Sequence, residues 1–311
     1  MVLAVNWDFL VQQLVNGLTL GSLYALIALG YTMVYGILKL LNFAHGEVYM
    51  MGAFAGYGVL TLFGGPFELG IPIPLLVGLM FLGGMLASGT LAVVIERFAY
   101  RPLRNAPRIA PLISALGVSF FLQASALLLF GAAFRSYETY EYIDLAGGIH
   151  EGPLNISTTR ILVIVSTLVL MVALTVLVGR SRLGKAMRAT SFDREAAAMM
   201  GIDVDRVIVA TFLIGGVLAG AAGVMFGLVY FSIYHLMGFT AGLKGFTAAV
   251  VGGIGSIPGA MLGGIVIGLA EAFSAGYIST QYQDLIVFSL LIVVLLVRPT
   301  GLLGRADIRK V

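Results

Sequence analysis

Runs of apolar residues, each about as long as a helix that crosses a bilayer, dominate this chain. A helix needs roughly 20 such residues to span the hydrocarbon core. The runs lie at approximately 9–37, 48–65, 72–96, 110–134, 160–179, 207–231, 258–277 and 283–297, with a shorter glycine-rich stretch at 241–256. Only 11% of the residues are charged, against roughly 25% in a soluble domain, so most of the surface must face lipid. The expected fold class is an all-α integral membrane protein, a polytopic bundle of about eight or nine transmembrane helices in a single domain spanning 1–311. Small residues let helix backbones approach closely in lipid. The spacings Gly17/Gly21, Gly52/Gly56, Gly216/Gly220, Gly259/Gly263 and Gly264/Gly268 are read as such packing grooves. No internal repeat is visible, and the start, Met1 to Asp8, lacks the basic region of a signal peptide.

Basic residues give the orientation, because cytoplasmic loops carry an excess of them. Arg97, Arg101, Arg104 and Arg108 form one cluster, and Arg180, Arg182, Lys185, Arg188, Arg194 and Arg206 a second. Arg298, Arg305, Arg309 and Lys310 close the chain as a third. All three sit on one side if 241–256 also crosses or if one neighbouring span is re-entrant; the expected count is nine spans, with eight as the alternative. The N-terminus then lies outside and the C-terminus in the cytoplasm. The outward loop from about 135 to 159 is acidic, through Glu138, Glu141, Asp144 and Glu151. Tyr230/Tyr234 and Tyr277/Tyr282 fall at outer boundaries, where interfacial aromatics belong.

Several function classes fall away. There is no cysteine, and His45, His150 and His235 are far apart, so disulfides, thiolate chemistry and a dedicated metal site are not expected. No cofactor is called for. The net charge of +3 records orientation in the membrane, not nucleic-acid binding. Gly179-Arg-Ser-Arg-Leu-Gly184-Lys185-Ala186 nearly spells a phosphate-binding loop. It follows a helix instead of a strand, however, and Ala186 stands where a magnesium-binding hydroxyl is required.

Three segments carry more than packing. In the largest cytoplasmic loop, Asp193, Arg194, Glu195, Ala196, Ala197, Ala198, Met199, Met200 and Gly201 predict a short helix outside the membrane. Ser191 would cap it, the two acids favour its positive end, and Gly201 would stop it in a left-handed conformation. Small residues and adaptable methionines suit a partner's groove; a solvated connector is the plainer alternative. Asn42, His45 and Glu47 sit between two apolar runs, where ionisable groups face a cavity or each other. They form either a broken-helix turn along a permeation path or an interfacial loop. The stretch Gly242 to Gly259 has the glycine and proline density of a discontinuous helix. Its Lys244 and Thr247 could reach a pathway, although Lys244 can also snorkel to the interface. Glu271 is a lone carboxylate in an apolar run, expected to hydrogen-bond between helices.

The longer motifs resemble a known family. Gly17-Leu-Thr-Leu-Gly21-Ser-Leu-Tyr-Ala-Leu-Ile-Ala-Leu-Gly-Tyr-Thr-Met-Val-Tyr-Gly36 with Asn42-Phe-Ala-His-Gly-Glu47 is similar to the LivH-type permeases of branched-chain amino acid ABC importers. Ile95-Glu96-Arg97, Phe246 to Ala260 and Arg298-Pro-Thr-Gly-Leu-Leu-Gly304 look like the same family, and the outer loop 135–159 does so least. Glu-Ala-Ala-x-x-x-Gly resembles the ATPase-coupling loop of ABC importers, without the Leu-Pro that usually follows. The resemblance implies a permease in a bacterial plasma (inner) membrane carrying Leu, Ile and Val. Its partners would be a second, related permease, two cytoplasmic ABC ATPase subunits and an extracytoplasmic amino-acid-binding protein. Residues 193–201 would be the ATPase contact, and Asn42 to Glu47 would lie in the permease core. Permeases for urea or simple sugars are the rivals within the class. A secondary transporter and an intramembrane enzyme are the rivals outside it.

Overall fold

The computed structural model describes residues 7–63, 71–104, 106–107, 109–137, 149–151 and 154–304. Glu138, Glu141 and Asp144 of the acidic loop, and Arg108, Arg305, Arg309 and Lys310 of the basic clusters, lie outside them. The described chain is helical apart from two small ribbons. Its elements are α1 (Trp7–Leu38), α2 (His45–Leu62), α3 (Ile73–Ile95), α4 (Ile109–Phe130), α5 (Thr158–Arg180) and α6 (Arg182–Phe192), followed by α7 (Arg194–Met199), α8 (Val204–Tyr230), α9 (Met237–Gly252), α10 (Ile257–Tyr277) and α11 (Gln283–Val297). Strands β1 (Arg135–Ser136), β2 (Ile149–Glu151), β3 (Leu154–Ile156) and β4 (Ser232–Ile233) pair antiparallel as β1 with β4 and β2 with β3.

Seven of the described helices are long and apolar enough to cross a membrane, which makes this a helical membrane protein. The two apolar runs outside that set have become α2, 18 residues carrying His45 and Glu47, and α9, with 16 residues. The element ends differ from the apolar runs for local reasons. The run 72–96 continues past α3 through a π-turn (Glu96–Tyr100) and a 3₁₀ turn (Arg101–Leu103). The run 110–134 stops at Phe130, because Gly131 is left-handed (φ 83°). The discontinuity expected within 242–259 is a sharp break between α9 and α10, where Gly253 and Gly255 take φ of 111° and 93°. Ser256 then caps α10, accepting from the Gly259 N–H at 3.2 Å, and Pro258 fits the first turn.

Small residues build the core. From Gly21 to Val34 every side of α1 is buried, so this helix is the centre of the bundle. It packs most extensively on α10, where Gly17 and Gly21 face Gly264 and Gly268. A Cβ on Gly268 would run into the Gly21 backbone, so the two helices meet backbone to backbone. Gly220 of α8 meets Gly52 of α2 and Gly84 of α3 in the same way. By contrast α4, α5 and α11 turn large apolar side chains outward, among them Phe121, Leu128, Val169 and Leu296. In a membrane protein such faces suit lipid or a neighbouring membrane subunit.

The helix ends gather into two sets. In one, Arg194 reaches the Ile37 carbonyl (2.7 Å), and Tyr100 donates to the Leu41 carbonyl (3.1 Å). There also Arg101 pairs with Asp205 (2.6 Å), and the Leu302 and Leu303 N–H groups donate to Val251 and Gly252 (both 2.9 Å). This end carries the described members of all three basic clusters. At the other end lie the β1–β4 ribbon, an Arg160–Asn16 hydrogen bond and a Phe9–Tyr277 edge contact.

Candidate functional site

Asn42, His45 and Glu47 are brought together at the start of α2, and all three are buried. Asn42 holds the turn: its Oδ1 accepts from the Ala44 N–H and from the Tyr100 hydroxyl, both at 3.1 Å. His45 fills a notch made by Gly30 of α1, where any Cβ would overlap the imidazole, with Tyr31 edge-on at 4.9 Å. Glu47 ties α2 to α4, its Oε1 accepting from Ser119 (3.1 Å) and Gln123 (2.8 Å). Its Oε2 lies against Gly238 of α9 without a partner among the described residues. The backbones of Gly46 and Gly238 touch behind it. This cluster is a tightly filled joint.

Lys244 is placed differently. It lines a cavity of about 260 Å³ enclosed by α1, α2, α8, α9, α10 and α11. Its Nζ binds Glu271 of α10 at 2.7 Å and Asp284, in the first turn of α11, at 2.8 Å. Glu271 makes the interhelical hydrogen bond expected of it, its other oxygen accepting from the Tyr24 hydroxyl of α1 at 2.8 Å. Tyr49, Phe226, Tyr230 and Tyr234 supply aromatic walls, while Leu20, Leu23 and Ile27 supply aliphatic ones. An adjoining hollow of about 270 Å³ shares Leu20, Tyr230 and Gln283, and is lined by Arg160, Asn16 and Gln13. Thr247 stays out of the first cavity, buried and donating to the Leu243 carbonyl (2.9 Å).

The sequence singles out Lys244 and Glu271 separately but does not join them, and Tyr24, Asp284 and the nearby Arg160 were missed. One signal was available. Lys244 and Glu271 are lone charges of opposite sign in separate apolar runs, and each unpaired charge in a membrane costs at least about 2.5 kcal/mol. That cost is a reason to pair them.

Outside the bundle, residues 193–201 do form a helix, but a shorter one than expected. The cap is Asp193 and not Ser191, with Asp193 Oδ1 accepting from the Ala196 N–H at 3.0 Å. Ser191 belongs to α6, which already satisfies its hydroxyl through the Arg188 carbonyl (2.8 Å). That leaves the six residues of α7, ended by Gly201 at φ 84°, the left-handed stop foreseen from the sequence. Ala197 faces its own chain and is only 4% exposed, while Glu195, Ala196, Ala198, Met199 and Met200 are exposed. Met199, Met200 and neighbouring Phe192 are 81%, 84% and 92% exposed. Arg194 anchors the helix to the end of α1. Burial, and then the nearby Arg104 charge, hold its guanidinium below the usual arginine range. The segment that nearly spells a phosphate-binding loop is a helix corner: Ser181 caps α6 by accepting from the Gly184 N–H (2.9 Å). Gly184 packs against the carbonyls of Leu177 and Val178.

These features meet in a chain with clear relatives. Residues 13–295 match the family described as the branched-chain amino acid transport system / permease component. The high-affinity branched-chain amino acid transport system permease protein LivH of Salmonella typhimurium is 47% identical over 307 residues, covering 97% of this chain and 98% of the relative. BraD of Pseudomonas aeruginosa, named a permease of the same kind of system, is 47% identical over 304 residues, 96% of this chain and 97% of its own. LivM of Escherichia coli, another permease so named, is 27% identical over 97% of this chain and 73% of its own length.

Proposed function

The chain belongs to the branched-chain amino acid transport system permease family, and from that premise we propose that it is a pore subunit of an ATP-driven importer for Leu, Ile and Val. The observation that carries this is the 47% identity to a LivH permease across nearly both whole chains. The related LivM permease supports a second, homologous subunit beside this one. Two cytoplasmic ATPases supply the energy and an extracytoplasmic binding protein delivers cargo. This subunit hydrolyses nothing itself.

In this reading α2 and α9 cross the membrane with the seven longer helices, giving nine crossings. The N-terminus lies outside and the basic end faces the cytoplasm. The sorting of helix ends into two sets supports that count. Because the chain has no native cysteine, single cysteines report sides directly: Lys185→Cys should react from the cytoplasm and Ser136→Cys from outside, and the reverse pattern would refute the orientation.

Residues 193–201 are the ATPase contact, with Ala196, Met199, Met200 and Phe192 as the face presented to the partner. An apolar surface so exposed beyond the bilayer has no cover among the described residues. Asn42, His45, Glu47 and Thr247 hold the wall of the pathway in shape, and Lys244 faces its cavity. Co-expression with the neighbouring transport genes, followed by purification through this chain, tests the assembly. A second permease and two ATPases should co-purify, and isolation of the chain alone from such a co-expression would count against it.

A further inference from the structure

We propose that Lys244 and Glu271 form an exchangeable ion pair that takes up the carboxylate and ammonium of a passing amino acid, making the 260 Å³ cavity a transient zwitterion station. The proposal rests on the amino-acid importer reading above and names the residues that would hold its cargo.

The chemistry of the wall fits such a cargo. Its cation and anion stand 2.7 Å apart, so an amino acid can insert by trading one protein–protein contact for two protein–ligand contacts. Lys244 then holds the carboxylate, and Glu271 the ammonium, with the Tyr24 hydroxyl still on its second oxygen. Asp284 keeps Lys244 company on the side toward α11, and Arg160 lines the adjoining hollow. Leu20, Leu23, Ile27 and Phe226 leave an apolar wall for an aliphatic side chain. Because charge-assisted contacts are exchanged and not created afresh, binding is weak. A translocation path needs sites that a solute can enter and leave.

Stability alone accounts poorly for the pair. Buried ion pairs are often neutral or worse compared with well-packed apolar residues. Ionisable groups inside a membrane mark solute or ion pathways. The competing role is a staple joining α9, α10 and α11, since Lys244 touches both neighbours.

Protection of a cysteine separates the two. Thr240 lines the same cavity and is exposed, so Thr240→Cys in this cysteine-free chain gives one reporter thiol. The full complex, with partner permease and ATPases, is alkylated with a small maleimide in nucleotide-free and vanadate-trapped states. Leucine should slow alkylation in at least one state. The analogues 4-methylpentanoate, without the ammonium, and 3-methylbutylamine, without the carboxylate, should need about tenfold higher concentration or more, as expected for losing one charge-assisted hydrogen bond. The double variant Lys244→Leu/Glu271→Leu keeps the cavity wall packed, and its folding is checked by co-purification of the partners. It should lose leucine protection. Unchanged protection in the double variant, or no protection by leucine in either state of a complex that imports leucine, would overturn the station. A complex that imports no leucine at all would instead remove the importer reading, and the station with it.

Discussion

Two polar clusters lie inside this bundle, and their surroundings differ more than their residues do. At the start of α2, His45 and Glu47 are enclosed by the backbones of Gly30, Gly46 and Gly238, so close that no side chain could be added. At the cavity, Lys244 and Glu271 satisfy one another yet border open volume. The first arrangement locks helices α1, α2, α4 and α9 in register. The second leaves charged groups where a solute can reach them. Burial of an ionisable group does not by itself tell a joint from a station; the space beside it does.

The sharpest way to break this contrast is to add volume to each. Gly30→Leu would drive into the His45 ring, and overpacking of a filled core costs about 3 kcal/mol or more where nothing can shift. Little folded protein should be recovered in detergent, whereas Ala241→Val at the cavity wall should give near-normal yield. Equal yields would show that the joint is softer than its packing indicates. A smaller effect separates charge from shape. Glu271→Gln should lower leucine uptake about tenfold, while Glu47→Gln, which keeps partners for Ser119 and Gln123, should stay within about twofold. The opposite order, measured as initial uptake by the reconstituted complex, would exchange the roles assigned to the two clusters.

The smallest expected effect on the chain itself lies outside the bilayer. Ala196→Trp projects from α7 and should leave folding intact while reducing ATPase co-purification and substrate-stimulated hydrolysis. Ala197→Trp, directed at the buried face of the same helix, should instead destabilise this chain. If Ala196→Trp keeps the ATPases bound and stimulated, α7 is a connector and the coupling face lies elsewhere.

How much could be read in advance follows the same division. The apolar runs located the long helices because hydrocarbon thickness fixes helix length. The glycine pairs Gly17/Gly21 and Gly264/Gly268 were recognisable as packing, and they do pack, on one another. Gly201 was legible as a helix stop because only its left-handed conformation was at issue. Asp193 was missed as the cap because a serine and an aspartate two residues apart both qualify, and α6 had already claimed the serine. Lys244 and Glu271 lie 27 residues apart in sequence, and their meeting depends on how α9 folds back on α10, which no local pattern encodes. The inward turn of Ala197 likewise depends on where α7 docks.

The central claim is that this chain forms part of an ATP-driven path for branched-chain amino acids. The most direct measurement is uptake by proteoliposomes containing this chain, its partner permease and both ATPases, with binding protein outside and ATP within. Radiolabelled leucine, isoleucine and valine should accumulate against their gradients, only with ATP hydrolysis and only with the binding protein. Uptake that proceeds without ATP on an ion gradient, or ATP-driven uptake of urea or a sugar with none of leucine, would contradict it.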